Sequence, residues 1–164
     1  VSATKSAAGW VYSIGLTAVV LDQVTKYAAE AFLGGGQVVQ VIGDLLRFQL
    51  AYNEAAAFSL GFGATWILAL ISSVAVLALL WFGPRAKTTI WAVISGLVLG
   101  GAAGNWVDRV FKEPQFFSGH VVDFIQIPFN FPIFNLADSF LVIGLSLAIL
   151  RTLLGDEIGG GKVE

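Results

Sequence analysis

The chain has 164 residues, and 57% are apolar even before its 19 glycines are counted. A soluble domain reaches only about 45–50% with glycine included, so the class is membrane. Charged residues make up 12% with a net charge of -2, too few and too mixed for a nucleic-acid footprint. The absence of cysteine and a single histidine, His120, exclude disulfides, thiolate zinc sites, cysteine nucleophiles and the two-histidine metalloprotease helix.

Four stretches suit a hydrocarbon core that takes about 20 apolar residues of helix. They are residues 9–30, 63–82, 89–107 and 133–153. The first follows Lys5 but runs past Leu21 with no small-residue cleavage site before Asp22, so it reads as a retained span rather than a secretory signal. All five tryptophans, Trp10, Trp66, Trp81, Trp91 and Trp106, fall near span ends, where their rings are expected at headgroup level. Between the first two spans Leu46, Phe48, Leu50 and Tyr52 alternate with Arg47, Gln49, Ala51 and Asn53, the period of a strand. Residues 37–42 precede it across Gly43-Asp44, so 37–53 is predicted to form a hairpin with one apolar face, resting on the outer membrane surface. Residues 112–130, rich in Phe, Pro and Gly, read as an irregular loop. The tail 155–164 is polar, glycine-rich and expected to be disordered; its Gly159-Gly160-Gly161-Lys162 run lacks the pattern of a phosphate loop. The expected fold is therefore an all-α membrane protein of four transmembrane helices with a small extracytoplasmic β segment, forming one integral domain over 1–154.

Four spans put both termini and the 83–87 turn on one side. That side carries Lys5, Arg85, Lys87, Arg151 and Lys162, against Lys26, Arg47, Arg109 and Lys112 on the other, a bias that says little. If Lys26 and Arg109 are held inside motifs the bias sharpens, and the termini are expected in the cytoplasm.

In so apolar a chain the informative residues are ionisable groups at membrane depth, each costing about 2.5–3.5 kcal/mol at a helix centre. Asp22 and Lys26 are four apart on one helix face and can pair, which suits either a structural ion pair or contact with a substrate. Asn105, Asp108 and Arg109 share a face at the end of the third span, where a structural network is the plainer reading. Asp138 is expected about 7–9 Å inside the fourth span, with Asn135 one turn earlier as its polar companion. Asp123 sits in the apolar run Val121-Val122-Asp123-Phe124-Ile125 just before that span. Either aspartate alone could be a buried group satisfied by an amide. Two together, brought to one depth, cannot both ionise and can act as base and acid on a single water. Other schemes draw on His120 with Asp123 and Asp138 as metal ligands, or on a serine–lysine dyad of Ser59 and Lys26; His120 also reads as a passive loop residue. Functions without catalysis stay open as well. A four-span assembly factor could use its acids only to hold helices together, and a small transporter could relay protons through them.

Five segments resemble, in order and placement among the spans, the lipoprotein signal peptidases, also called type II signal peptidases. They are Asp22-Gln23-Val24-Thr25-Lys26, Asn53-Glu54-Ala55-Ala56-Ala57-Phe58-Ser59, Gly104-Asn105-Trp106-Val107-Asp108-Arg109, Val121-Val122-Asp123-Phe124 and Phe134-Asn135-Leu136-Ala137-Asp138. The resemblance implies an aspartic endopeptidase of the bacterial inner membrane that removes the signal peptide of a diacylglyceryl-modified prolipoprotein, cutting just before the lipidated cysteine. It implies Asp123 and Asp138 as the catalytic pair, with Asn53, Asn105, Arg109 and Asn135 shaping the site and Asp22 and Lys26 in a further motif. It also implies no cofactor or metal, contact with membrane lipids, a monomer, and inhibition by globomycin. Ala55 departs from the family's usual glycine; a turn that needs positive φ would be strained there.

Overall fold

A computed structural model of the chain describes residues 3–54 and 65–160. Among these residues four helices are long and apolar enough to cross a bilayer: α1 (Ala3–Leu33), α2 (Thr65–Phe82), α3 (Thr89–Phe111) and α4 (Leu136–Leu153). Crossing in alternate directions, they gather the ends of α1 and α3 and the starts of α2 and α4 at one side. A single 3-10 turn, Gly83–Arg85, joins α2 to α3 at the other side.

α3 is the centre of the bundle and packs against each of the other three helices. In lipid no hydrophobic force drives helices together, so close fit has to do it, and small residues let backbones approach. Gly96, Gly100 and Gly104 form such a stripe on α3. A Cβ on Gly96 would stand 2.8 Å from Ile14 Cβ, one on Gly100 would collide with Ala18, and one on Gly104 would lie 2.6 Å from Asp22 Oδ2. The same device seats α4, where Gly101 meets Ala137 and Leu141 while Gly144 of α4 meets Val98. Val11, Trp91, Ala92, Ile94 and Leu99 fill the core between α1 and α3.

Trp91 therefore differs from its sequence expectation: it is buried in the core rather than held at the headgroups, and Trp106 turns inward to donate to Ser73 Oγ at 2.8 Å. Trp10, Trp66 and Trp81 are exposed at span ends.

β1 (Val38–Ile42) and β2 (Leu46–Asn53) pair antiparallel across a turn in which Gly43 takes φ 48, as the alternation predicts. Phe48 and Leu50 lie over Ala29 and Leu33 at the end of α1, so the apolar face of the hairpin rests on the protein's own helix. A third strand, β3 (Val121–Gln126), pairs with β2, giving the order β1-β2-β3. This corrects the reading of 112–130 as irregular throughout. Val121, Val122, Asp123 and Phe124 are all buried, so both faces of β3 are covered and the period-2 signal vanishes.

The tail is corrected too. Lys87 N donates to Gly159 O at 2.6 Å, Arg151 Nε donates to Asp156 Oδ2 at 2.8 Å, and Gly160 is buried against Thr88. Gly155, Gly159 and Gly160 take φ 88, 87 and 103, the left-handed conformations that fold the segment back. Residues 161–164 lie outside the described residues.

Candidate active site

The site is built where helix ends and the sheet meet. α4 begins at Leu136, three residues later than expected, because Phe134 is held in an antiparallel bridge to Ile125 and Asn135 is the N-cap. Asn135 Oδ1 accepts from Asp138 N at 2.9 Å, and Asp138 Oδ2 accepts from Asn135 N at 3.2 Å, a reciprocal capping box. Asp138 thus stands in the first turn of α4, not about 7–9 Å inside the span as the sequence suggested. Its carboxylate gains from the exposed N–H groups there.

β3 carries Asp123 to the same place. Asn135 Nδ2 donates to Asp123 Oδ1 at 2.7 Å, while Asn53 Nδ2, from the end of β2, donates to Asp123 Oδ2 at 3.1 Å. Asn105 of α3 donates through Nδ2 to Asp138 Oδ1 at 2.7 Å and accepts from Asn135 Nδ2 at 3.0 Å. The predicted residues Asn53, Asn105, Asn135, Asp123 and Asp138 therefore form one network. Asp123 is 2% exposed, and burial together with the neighbouring charge of Asp138 pushes its carboxyl up to about 6 against the donated amide hydrogens. Arg109 lies within electrostatic reach of Asp123, Asp138 and Asp108. Its Nη1 is buried with no hydrogen-bond partner among the described residues.

Asp22 and Lys26 sit one layer deeper, in a closed hub. Lys26 Nζ is 2.8 Å from Asp22 Oδ2, 2.8 Å from Asp108 Oδ2 and 2.9 Å from Asn105 Oδ1. Asp22 Oδ1 accepts from Ala137 N at 2.9 Å and Asp108 Oδ2 from Val122 N at 3.1 Å, so the hub pins the start of α4 and of β3. All three charged side chains are fully buried. Lys26 thus shapes the site through Asn105, with no open face for a substrate.

Sequence reasoning passed over Gln23, whose Nε2 donates to Asp108 Oδ1 at 3.0 Å and to Gly104 O at 3.0 Å. It also passed over the glycine stripe, whose four-residue spacing was a readable signal. His120 does not join Asp123: its Nε2 is 3.9 Å from Glu54 Oε1, and it lines a separate cleft of about 380 Å³ with Glu30, Tyr52, Phe111, Lys112 and Glu113. Among the described residues no three His, Asp or Glu side chains converge as metal ligands do. Ser59 and Ala55 lie outside the described residues.

Two carboxylates held by neutral amides at one end of a four-helix membrane bundle are the arrangement that a membrane hydrolase of the aspartic class requires. Residues 14–154 match the family described as Signal peptidase (SPase) II. The lipoprotein signal peptidase of Leifsonia xyli subsp. xyli is 42% identical over 98% of this chain and 76% of its own length. That of Mycobacterium avium is 42% identical over 92% of this chain and 84% of its own. A solved bacterial membrane enzyme, determined by the in meso method at 1.9 Å resolution, superposes with a TM-score of 0.78 at 34% identity, covering 91% of this chain and 95% of that one. The chain belongs to the signal peptidase II family, aspartic-type endopeptidases that remove signal peptides from prolipoproteins, and that is its function.

Proposed function

We propose that Asp123 and Asp138 are the catalytic pair, and that the substrate is a diacylglyceryl-modified prolipoprotein cut just before its lipidated cysteine. The observation that carries the assignment is Asn135, a neutral residue that donates to both carboxylates, 2.7 Å to Asp123 and 3.2 Å to Asp138. Amide donors fix the oxygens without cancelling their charge, so a proton shared by the pair stays available. Asp123, the more deeply buried, keeps the proton, and an apolar substrate closing over it strengthens that hold. Asp138 takes a proton from a water as its oxygen adds to the scissile carbonyl carbon, while Asp123 gives its proton to the carbonyl oxygen. The tetrahedral diol then collapses: the C–N bond breaks, the nitrogen leaves with the proton held by Asp138, and Asp123 recovers its own. The signal peptide ends as a carboxylic acid and the cysteine as a free amine. Arg109, whose buried Nη1 has no hydrogen-bond partner among the described residues and which lies within electrostatic reach of both carboxylates, is the group assigned to steady negative charge on the carbonyl oxygen.

The substrate is itself a lipid-anchored membrane peptide, which suits sideways access from the bilayer and a protease that works as a monomer. With Lys26 and Arg109 set aside as members of the hub and the site, the remaining cations favour cytoplasmic termini, and the pair then faces outward from the inner membrane. The rival readings, assembly factor and proton-relaying transporter, give no role to two carboxylates meeting at one residue, Asp123 at the side-chain amide of Asn135 and Asp138 at its backbone N–H.

Asp123→Asn and Asp138→Asn should each fold and insert normally yet lose about 10⁴-fold or more in turnover of a lipidated precursor, with the double variant no worse than either. Substantial turnover by a well-folded single variant would end the two-aspartate assignment. For orientation, cysteines placed at Lys87 and His120 are to be probed with an impermeant thiol reagent on intact cells. Labelling at 120 but not at 87 is the expected pattern, and the reverse would invert the topology.

A further inference from the structure

The chain between β3 and α4 forms a closed loop whose base is the Ile125–Phe134 bridge. Ile125 N donates to Phe134 O at 2.8 Å, and Phe134 N to Ile125 O at 3.0 Å. Above that base residues 126–133 carry no charged side chain. Phe129, at the tip, is 98% exposed and Phe131 is 53% exposed. Phe129 and Asn130 take φ 68 and 54, left-handed conformations that a bulky phenylalanine adopts only at a steric cost. The strained backbone therefore holds an aromatic ring fully outward, where water is its worst neighbour.

The position of the loop names a better one. α4 is a membrane span and starts two residues beyond the bridge, so the loop leaves the protein where the bilayer begins. Other aromatic rings lie at the same side of the bundle, at the end of α3, where Phe111 stacks edge-on with Trp106 and with Phe116, both pairs at 5.9 Å, and Phe111 and Phe116 are exposed.

We propose that this loop is a lipid anchor: Phe129 and Phe131 insert into the leaflet on the catalytic side and hold the base of the loop at a fixed depth. Asp123 lies two residues before that base and Asp138 four residues after it, so the anchor sets how deep the pair sits relative to a substrate whose own depth is set by its acyl chains. The insertion stands on exposure and position; its link to catalysis rests on the assignment of Asp123 and Asp138.

The chain has no cysteine, so Phe129→Cys accepts a nitroxide at one position, with Asp44→Cys in the β1–β2 turn as the aqueous reference. In substrate-free liposomes of phosphatidylethanolamine and phosphatidylglycerol, oxygen should reach the label at 129 more readily than a water-soluble nickel chelate does, the opposite of position 44. Equal access of the chelate to both positions would overturn the anchor. So would a label at 129 that leaves water only after a lipidated substrate peptide is added, because the occupant would then be substrate acyl chain. The Phe129→Ser/Phe131→Ser variant should lose about ten-fold in kcat/KM in liposomes while changing little in detergent micelles, which mould themselves to the protein. Equal losses in both media would make the rings internal supports and remove the role in depth. Failure of the aspartate assignment would leave the label depths as they are, so the two ideas fall separately.

Discussion

Two clusters of aspartates lie side by side at the same end of this bundle, and they differ in what answers the charge. In the hub, Asp22 and Asp108 close on the ammonium of Lys26 at 2.8 Å each, with every charged side chain fully buried. In the site, Asp123 and Asp138 are held by the amides of Asn53, Asn105 and Asn135. A carboxylate bonded to a cation is spent on holding structure; one bonded to neutral donors keeps its proton chemistry. Burial alone does not mark a functional acid in a membrane protein. On the proposed assignment, the identity of its partner does.

The strongest way to break this contrast is to remove the cation. Lys26→Met leaves two carboxylates buried with nothing to neutralise them, and breaking a buried pair in this way costs about 3–5 kcal/mol. Thermal unfolding in detergent should therefore drop sharply for Lys26→Met, whereas Asp123→Asn should unfold at or above the wild-type temperature. Parallel stabilities for the two variants would show that the clusters do not differ in kind.

Asn105 is the seam between the clusters and should respond in both ways at once. Its Oδ1 accepts from Lys26 at 2.9 Å, and its Nδ2 donates to Asp138 at 2.7 Å. Asn105→Ala should lose about 10²-fold in kcat, the scale of one lost donor at a reacting group. It should also lose about 1–3 kcal/mol of stability from unmade buried hydrogen bonds. Turnover per folded molecule and unfolding temperature, measured on one preparation, separate the two effects. A stability loss with unchanged turnover would assign Asn105 to the hub alone.

The sequence showed these clusters unevenly, for physical reasons. The spans stood out because lipid demands long apolar helices, and the β1–β2 hairpin because one of its faces rests on α1 and the alternation survives. β3 was hidden because a strand covered on both faces carries no alternation, and because Asp123 interrupts its apolar run. The start of α4 was placed too early because Ile133 and Phe134 are apolar, although Asn135 followed three residues later by Asp138 spells out a capping box. The pairing of Asp22 with Lys26 was legible from their spacing on one helix. That Asp108 would complete the hub was not, since it arrives from another helix through the Gly96-Gly100-Gly104 stripe. Trp91 misled because tryptophan near a span end serves equally as a belt or as core, and only packing decides.

The most diagnostic effect is a dependence on pH, because it reads the proton on Asp123 itself. Burial lifts its carboxyl from 3.8 in a free chain to about 6 in the folded one. Between those values the folded protein holds a proton that the unfolded chain has released, so stability must fall as pH rises. The contribution is fully present below 3.8 and is lost as pH passes through about 6, amounting to on the order of 2–3 kcal/mol. Asp123→Asn cannot titrate, so the stability difference between wild type and this variant should decline across that window and then level off. In the proposed mechanism the same proton is needed for turnover, so kcat/KM should fall on the alkaline side with an apparent value near 6 that belongs to the pair. The cation-closed hub supplies no shared proton of this kind, and a Gln23→Ala variant, which loosens the hub without touching the pair, should keep the alkaline limb where it is. Stabilities of wild type and Asp123→Asn that move in parallel from about pH 4 to pH 7 would mean that the shared proton does not reside on Asp123.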